Sequence, residues 1–287
     1  DTAVCVIQTE SVIFDGEVYT SPSQCYQAQG ILLQSTIITG LNASFLGKVL
    51  STSIADTIGV KMENSGLSLQ ELTINGNSTL DNGVGVSLQG STIDSTTIDI
   101  QGEGYEGIMV SGGSLSAPQL DMNASGYYNG IQLVDSPLFS ADVNVHGASF
   151  TNGTGVYILS VGDLILKNQP SCSVELTGES DTGKSVVIDA AAEEFIINLQ
   201  QCEVTLNGNV EIQKSVTFLG SDSGSIQFAN SGQIMGDITF EQRGESDLPQ
   251  GLDVEGDLTW GDAGKLYLCH NLNARNIQLP LEVETNC

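Results

Sequence analysis

Short runs of alternating apolar and polar residues recur along the chain and are separated by clusters of Gly, Asn and Ser. Thr97-Ile98-Asp99-Ile100 is one such run. Alternation with a period of two predicts β-strands, and the Gly-rich clusters between them predict turns. A helical period of 3.6 residues is nearly absent, and Ala190 to Gln201 is the one stretch where a short helix fits. The pattern therefore predicts an all-β protein.

Two landmarks recur in step along the sequence. A Gly followed by an apolar residue returns at spacings of 26, 22, 23 and 25 residues. An apolar–polar–apolar triplet returns at spacings of 26, 22 and 23, and then of 31 and 30. Two independent landmarks that keep step indicate an internal repeat. The landmarks are Gly59-Val60, Gly85-Val86, Gly107-Ile108, Gly130-Ile131 and Gly155-Val156, and Leu72-Thr73-Ile74, Ile98-Asp99-Ile100, Leu120-Asp121-Met122, Val143-Asn144-Val145, Val174-Glu175-Leu176 and Val204-Thr205-Leu206.

A unit of about 22 residues with three short strands cannot bury an apolar face alone, so it must stack on its neighbours at about 4.8 Å per coil. This predicts a right-handed parallel β-helix, or β-solenoid, of seven or eight coils. Residues 1–30 are predicted to form an N-terminal cap, residues 31–236 the β-helix, and residues 237–287 a small β-rich, sandwich-like C-terminal subdomain or cap.

The six cysteines fall in three separated pairs without a CxxC motif. An even number favours disulfides and an oxidising compartment, although six free thiols in a cytosolic protein are the alternative. Proximity favours Cys5–Cys25 and Cys269–Cys287. The pair Cys172–Cys202 has a stronger basis, because each member lies two residues before a triplet. Equivalent positions of stacked coils have the Cα separation that a disulfide needs.

The net charge of −27, from 35 acidic and 8 basic residues, excludes several classes of partner. So few cations cannot neutralise the phosphates of a nucleic acid or hold the chain on an anionic membrane. No apolar run approaches the roughly 20 residues that span a bilayer. Neutral glycans, basic proteins and nonspecific surface contacts remain, and we expect a monomeric domain without a cofactor.

The polar centres of the triplets should face outward, which places Asp99 and Asp121 about one rung apart. Paired carboxylates at about 5 Å or at 6.5–9.5 Å are used by glycosidases. A solvated acidic face or a weak cation site is the alternative. We assign no catalytic residue and no metal site, because Met62 to Gly155 contains no Lys or Arg and His146 is the only His of the stack.

A second rank of residues follows each triplet by five positions: Thr79, Tyr105, Tyr127 and Phe150. We expect an interior aromatic stack that fills a corner, with a platform for sugar rings as the alternative. Since Tyr128 follows Tyr127 and should face the other way, one of the two is expected at the surface. The candidate ligand-binding residues are Asp99, Asp121, Tyr105, Tyr127 and Tyr128.

Four N-x-[ST] sequons are candidate glycosylation sites. They are compatible with a eukaryotic secretory route. The asparagines are Asn42, Asn77, Asn123 and Asn152.

The coil starts GVSLQGS, GIMVSGGS and GIQLVDS between Gly83 and Tyr157 resemble the β-solenoids of microbial surface adhesins. One such family is the N-terminal domain of yeast cell-wall adhesins of the adhesin-like wall protein and Hyr/Iff-like kind. The segment Gly256–Leu266 is similar to the C-terminal part of that domain. The other family is the passenger domain of bacterial autotransporters. Because passengers cross the outer membrane largely unfolded, cysteine pairs that bridge coils favour the yeast family.

The resemblance implies an extracellular domain at the cell wall or cell surface that attaches cells to host cells, other cells or abiotic surfaces, as in a biofilm. It implies no catalytic motif, so a non-enzymatic role is expected. The Ser/Thr-rich stalk and GPI signal of a full-length wall protein are not in this sequence. A β-helical polysaccharide-active enzyme and a structural wall spacer are the alternative functions.

Overall fold

The structure, a computed structural model, consists of strands and turns, and no helix occurs among the residues that it describes. The prediction of an all-β chain is therefore confirmed. The described residues are 5–19, 27–50, 56–78, 83–136, 138–151, 153–160, 164–165, 172–181, 184–220, 224–241, 245–248, 250–261, 265–268, 271–279 and 283–284.

The strands are short in the C-terminal half and long in the N-terminal half. In chain order, β1 to β9 are Cys5–Tyr19, Gln27–Gln34, Thr36–Leu50, Asp56–Glu63, Gly66–Ser78, Val84–Gln89, Thr92–Ser111, Ser114–Val134 and Leu138–Ser149. Strands β10 to β18 are Val156–Ser160, Leu164–Ile165, Cys172–Ser180, Val186–Ala190, Glu194–Gln200, Cys202–Asn207, Val210–Ile212, Ser215–Gly220 and Ser225–Phe228. Strands β19 to β27 are Gly232–Ile234, Ile238–Phe240, Glu245–Leu248, Leu252–Val254, Leu258–Trp260, Lys265–Leu268, Leu272–Asn273, Ile277–Gln278 and Val283–Glu284.

All strand pairs are parallel, and they form three ladders that run along the stack. The first ladder is β1, β3, β5, β7, β8, β9, β12, β15, β18, β21, β24 and β27. The second is β2, β4, β6, β7, β8, β10, β13, β16, β19, β22 and β25. The third is β11, β14, β17, β20, β23 and β26. Strands β7 and β8 are long enough to serve both the first and the second ladder. This arrangement confirms the β-solenoid.

The triplets place apolar side chains inside and polar side chains outside, as predicted. Ile98 and Ile100 are fully buried, and Asp99 between them is half-buried on the outer face. In the next rung Ile98 lies on Leu120 and Ile100 lies on Met122. Buried residues from Ile31 to Leu266 form one continuous hydrophobic cluster. Removal of this apolar surface from water is the main force that holds the coils together.

Glycine pairs allow the chain to turn tightly between the first and second ladders. A Cβ on Gly76 would lie 2.0 Å from the carbonyl oxygen of Gly85, and one on Gly102 would lie 2.2 Å from that of Gly107. A Cβ would clash at these two positions because two backbone segments touch there, although the equivalent position of the next coil is Ala124. A Cβ on Gly85, a glycine of the Gly-apolar landmark, would lie 2.5 Å from the carbonyl oxygen of Gly107, so the landmark glycine is also required for steric reasons.

A second corner, where the second ladder ends, uses left-handed backbone. Ser35, Asn64, Gly90, Gly112 and Asp135 occupy equivalent sites there, with φ between 47° and 63°. Each backbone N–H at these sites donates to a carbonyl oxygen of the following coil over 2.8 to 3.0 Å. Gly adopts this conformation freely, and Asn and Asp adopt it more readily than most other residues. The sequence analysis did not find this corner.

The short helix predicted for Ala190 to Gln201 does not form, because β14 lies there. Phe195, Ile197 and Leu199 are buried while the residues between them are half-buried. The period of two therefore continues through this stretch, and the helix prediction was wrong.

Strands at both ends add rungs to the same ladders. Strand β1 pairs in parallel with β3, and β20 to β27 extend all three ladders beyond residue 236. The C-terminal end thus consists of short parallel strands that continue the ladders, and strand pairing places no boundary between residues 236 and 237. Inside these last coils the rings of Phe218 and Phe240 stack at 5.4 Å, and those of Phe240 and Trp260 at 4.0 Å.

The predicted disulfide between Cys172 and Cys202 is present. The two residues are register partners of β12 and β15, with Cα atoms 4.4 Å apart. Of the other cysteines, Cys25, Cys269 and Cys287 lie outside the described residues, so the pairs Cys5–Cys25 and Cys269–Cys287 stay predictions.

A charge in the core should unfold the stack. We expect Ile98→Asp to lower the free energy of unfolding by about 3–5 kcal/mol, because it leaves a buried carboxylate without a partner. Thr96→Asp, at an exposed site of the same strand, is the matched control and should change it by less than about 0.5 kcal/mol. Denaturant unfolding measures both, and a stable Ile98→Asp protein would reverse our assignment of inner and outer faces.

Loss of the disulfide should destabilise the chain measurably. The bond joins residues 30 positions apart, and closing such a loop in the unfolded chain is worth about 3–4 kcal/mol. We expect the Cys172→Ala/Cys202→Ala variant to unfold at a correspondingly lower denaturant concentration than the wild type. Mass spectrometry of a non-reduced digest should show the 172–202 peptide pair, and a different partner for either cysteine would contradict the coil register.

Candidate functional site

Three tyrosines lie together on the surface where β7 and β8 pass from the first ladder to the second. The ring of Tyr105 stacks on that of Tyr128, with centroids 5.6 Å apart and planes 10° apart, and lies 6.0 Å from that of Tyr127. Tyr127 is 55% exposed and Tyr128 is 44% exposed, whereas Tyr105 is half-buried. We call Tyr105, Tyr127 and Tyr128 the tyrosine edge.

Both tyrosines of β8 are exposed because the pairing between β7 and β8 shifts at this point. Gly104 pairs with Gly126, and the next pair is Glu106 with Asn129, so Tyr105 stands opposite two residues. Such a β-bulge redirects side chains that would otherwise alternate. The expected interior stack was therefore wrong, and so was the expectation that only one of Tyr127 and Tyr128 is exposed. Phe150 of the next coil is also on the surface, 59% exposed, whereas Thr79 lies outside the described residues.

Hydroxyl groups of the following coil fix the backbone of the tyrosine edge. Thr151 Oγ1 donates to the carbonyl oxygen of Tyr127, and Ser149 Oγ donates to that of Tyr128, each over 2.6 Å. Backbone N–H of Phe150 donates to the carbonyl oxygen of Gly126 over 3.1 Å. The two exposed rings thus stand on a rigid base, which reduces the entropy that a ligand would have to remove.

A partly buried carboxyl group lies next to the tyrosine edge in the sequence. Glu106 follows Tyr105, and its carboxyl accepts a hydrogen bond from the Asn129 side chain. Asn129 Oδ1 in turn accepts from backbone N–H of Thr154 at 3.1 Å. Burial raises the pKa of the Glu106 carboxyl above its usual value, and the bond from Asn129 opposes this only in part. Its Oε2 is buried without a hydrogen-bond partner in the described structure.

Asp99 and Asp121 stand side by side on neighbouring rungs, as predicted. Gln119 Nε2 donates to Asp121 Oδ2 at 2.9 Å, and Gln101 Nε2 lies 3.4 Å from Asp99 Oδ2. Asp99 and Tyr105 are six positions apart along β7. At about 3.3 Å per residue, this is a separation of up to about 20 Å. The predicted aspartates and tyrosines therefore do not share one compact site.

A shallow depression of about 390 Å³ lies between the aspartates and the tyrosine edge on the outer face of the first ladder. We call it the amide groove. Within it, Asn75 Nδ2 lies 3.4 Å from Gln101 Oε1, and Asn77 Nδ2 donates to Glu103 Oε2 at 2.7 Å. This groove was not predicted from the sequence. The signal was present, because the residue two positions after the triplet centre is an amide in three successive coils. The lining residues are Asn75, Asn77, Gln101, Gly102, Glu103, Asn123 and Ser125.

A second depression, of about 370 Å³, lies at a corner of the C-terminal coils. Both of its basic groups lie near a carboxylate: Lys214 Nζ lies 3.1 Å from Glu193 Oε1, and Arg275 Nε lies 3.8 Å from Asp257 Oδ1. Asp237 Oδ1 accepts from backbone N–H of Asp257 at 2.8 Å. These contacts join successive coils, so we interpret this depression as a structural corner.

The sequons differ in accessibility. Asn42 and Asn123 are exposed, and Asn123 lies in the amide groove. Asn77 is half-buried and its side-chain nitrogen is engaged by Glu103. Asn152 lies outside the described residues. Glycosylation at the four sites stays a prediction.

No protein-family model, curated protein or solved structure matches the chain. Over the described residues, no three His, Cys, Asp or Glu side chains come close enough together to hold a metal ion. The described part of the chain also contains no helix with the length and hydropathy of a membrane span. The tyrosine edge and the amide groove are therefore the candidate functional surfaces of the described structure.

The raised pKa of Glu106 predicts a pH-dependent contribution to stability. The folded chain holds this proton more tightly than the unfolded chain, so the stabilisation is complete below the unfolded pKa, near 4.5, and is lost as the pH rises through the folded pKa. Gln keeps an acceptor for Asn129 but does not titrate. We therefore expect the stability of Glu106→Gln to fall less than that of the wild type as the pH rises above 4.5. At pH 7 the variant should be at least as stable as the wild type.

Thermal midpoints measured from pH 4 to pH 8 check this expectation. Glu103→Gln removes an exposed negative charge from the same strand and controls for net charge. Identical profiles of the wild type and Glu106→Gln would contradict it.

Proposed function

We propose that this chain is an extracellular attachment domain, an adhesin of the cell wall or cell surface, and that the tyrosine edge is its contact surface. The observation that carries the proposal is the contact among three tyrosine rings of which two are largely exposed. Exposed aromatic residues on a rigid backbone are typical of binding surfaces, since they offer large contact area at low entropic cost. The resemblance of the coil starts to microbial adhesins supports the same role.

The net negative charge of the chain favours some classes of partner over others. With a net charge of −27, the protein repels polyanions and the faces of other copies of itself. Neutral glycans, basic proteins and uncharged abiotic surfaces can approach it. The monomeric domain then acts as a stiff spacer that carries the tyrosine edge away from the cell.

Removal of the two exposed rings should weaken attachment. We expect Tyr127→Ala/Tyr128→Ala to reduce the binding of protein-coated beads to cells or surfaces about tenfold, since loss of the ring contacts removes about 1.4 kcal/mol. Tyr127→Phe keeps the ring and should retain most of the binding. Met235→Ala, a change at an exposed site of the C-terminal coils, is the control for a lost apolar surface group.

Attachment that is unchanged in the double variant would show that another surface makes the contact. If the wild-type protein attaches to no cell or material, the proposal fails and a structural spacer is the better interpretation.

A polysaccharide-cleaving enzyme is the second candidate, because Asp99 and Asp121 are neighbours on adjacent rungs. We expect no release of reducing ends when the protein is incubated with a panel of polysaccharides. Release that disappears in Asp99→Asn and in Asp121→Asn, and persists in Asn273→Ala, would favour the enzyme over the attachment domain.

A further inference from the structure

We infer that the tyrosine edge and the amide groove form one composite site for a neutral glycan. One sugar ring would lie against Tyr105, Tyr127 and Tyr128, and the next units would lie over the amide groove. The inference deepens the proposed function, on which it rests, by naming the chemical class of the ligand.

The two surfaces are continuous. The groove ends at Glu103 on β7 and at Ser125 on β8, and each of these residues precedes a tyrosine of the edge by two positions. Two residues of extended strand span about 7 Å. Along the stack the groove covers three rungs, from Asn75 through Gln101 to Asn123, or about 10 Å at about 4.8 Å per rung. A site of these dimensions is longer than one pyranose ring, so it suits an oligosaccharide.

The lining of the groove matches hydroxyl groups better than ionic groups. An amide side chain both donates and accepts hydrogen bonds, and so does a sugar hydroxyl. A Lys or Arg side chain of a protein partner only donates, so it could bond to the amide carbonyl oxygens of the groove but not to its NH₂ groups. An anionic sugar would meet the Glu103 carboxylate, and the lining contains no Lys or Arg to balance its charge.

One buried acceptor without a partner lies in this site: Asn77 Oδ1, on a groove-lining side chain. Buried polar atoms without a hydrogen bond are uncommon in folded proteins, and only Ser95, Glu106 and Trp260 supply others in the described part of this chain. A small shift of the Asn77 side chain would offer a lone pair to a ligand hydroxyl, so this atom favours a ligand that donates hydrogen bonds.

The tyrosine edge supplies the apolar half of the recognition. The ring faces of a neutral sugar carry C–H groups that pack against aromatic rings, while its hydroxyls point outward toward polar partners. Exposed aromatic rings beside a row of amides therefore fit the two kinds of surface that one sugar chain presents.

The experiment measures binding of the full chain to three probes: a panel of neutral oligosaccharides of four to six units, a uronic-acid oligosaccharide and a lysine-rich peptide. The protein is produced in a host without N-glycosylation, so that Asn123 in the groove is unmodified. We expect binding to at least one neutral oligosaccharide and weaker or no binding to the other two probes. Calorimetry or a glycan array provides the affinities.

Two variants test the two parts of the composite site separately. Gln101→Ala/Asn123→Ala removes groove hydrogen bonds and should weaken binding about tenfold, and Tyr127→Ala/Tyr128→Ala should weaken it by a similar factor. Asn273→Ala, at an exposed amide on the second ladder, is the matched control and should bind like the wild type. Unchanged thermal midpoints of the variants show that they are folded.

Affinity that is insensitive to the groove variant would overturn the composite site, and so would binding of the lysine-rich peptide in preference to every neutral sugar. If the tyrosine variant abolishes cell attachment while no glycan binds, this inference fails and the proposed attachment function stands. If the wild type attaches to nothing, the proposed function fails with it.

Discussion

In-register stacking of equivalent residues on parallel rungs is the constraint on which the rest of this structure depends. Backbone N–H and carbonyl groups of each strand pair with the coils before and after it, so a residue lies about 4.8 Å from its counterparts in those coils. Apolar positions such as Ile98 and Leu120 then form a continuous core. The same rule brings Cys172 onto Cys202 and builds the amide groove from three coils.

The sequence predicted those features whose signal is repeated in many coils. The triplets predicted the inner and outer faces of the coils, and their register aligned Cys172 with Cys202. One departure from the repeat was enough to defeat the same reasoning at the site. The β-bulge opposite Tyr105 adds one residue to β8, which turned both Tyr127 and Tyr128 to the surface. Alternation within one strand does not show such an insertion. It appears only when the distance from triplet to Gly is compared between coils, seven positions from Ile100 to Gly107 and eight from Met122 to Gly130.

Features that depend on few residues per coil were also missed. Strands of two to four residues in the C-terminal coils carry too little alternation to be recognised, although they continue the ladders past residue 236. The left-handed corner is occupied by Ser35, Asn64 and Asp135 as well as by glycine, so it has no single residue signature. The amide groove could have been predicted, since the alignment of coils that places Asp99 beside Asp121 also places the outward residues that follow them side by side.

The aromatic stack in the last coils has a spectroscopic consequence. Trp260 is the sole tryptophan of the sequence, and its ring is buried 4.0 Å from that of Phe240. Its emission therefore reports on the C-terminal coils alone, whereas circular dichroism reports on strands along the whole stack. Because coils contact only their neighbours, the two signals need not change together on heating. The difference between the midpoint temperatures of the two melting curves would measure how far cooperativity extends along the solenoid.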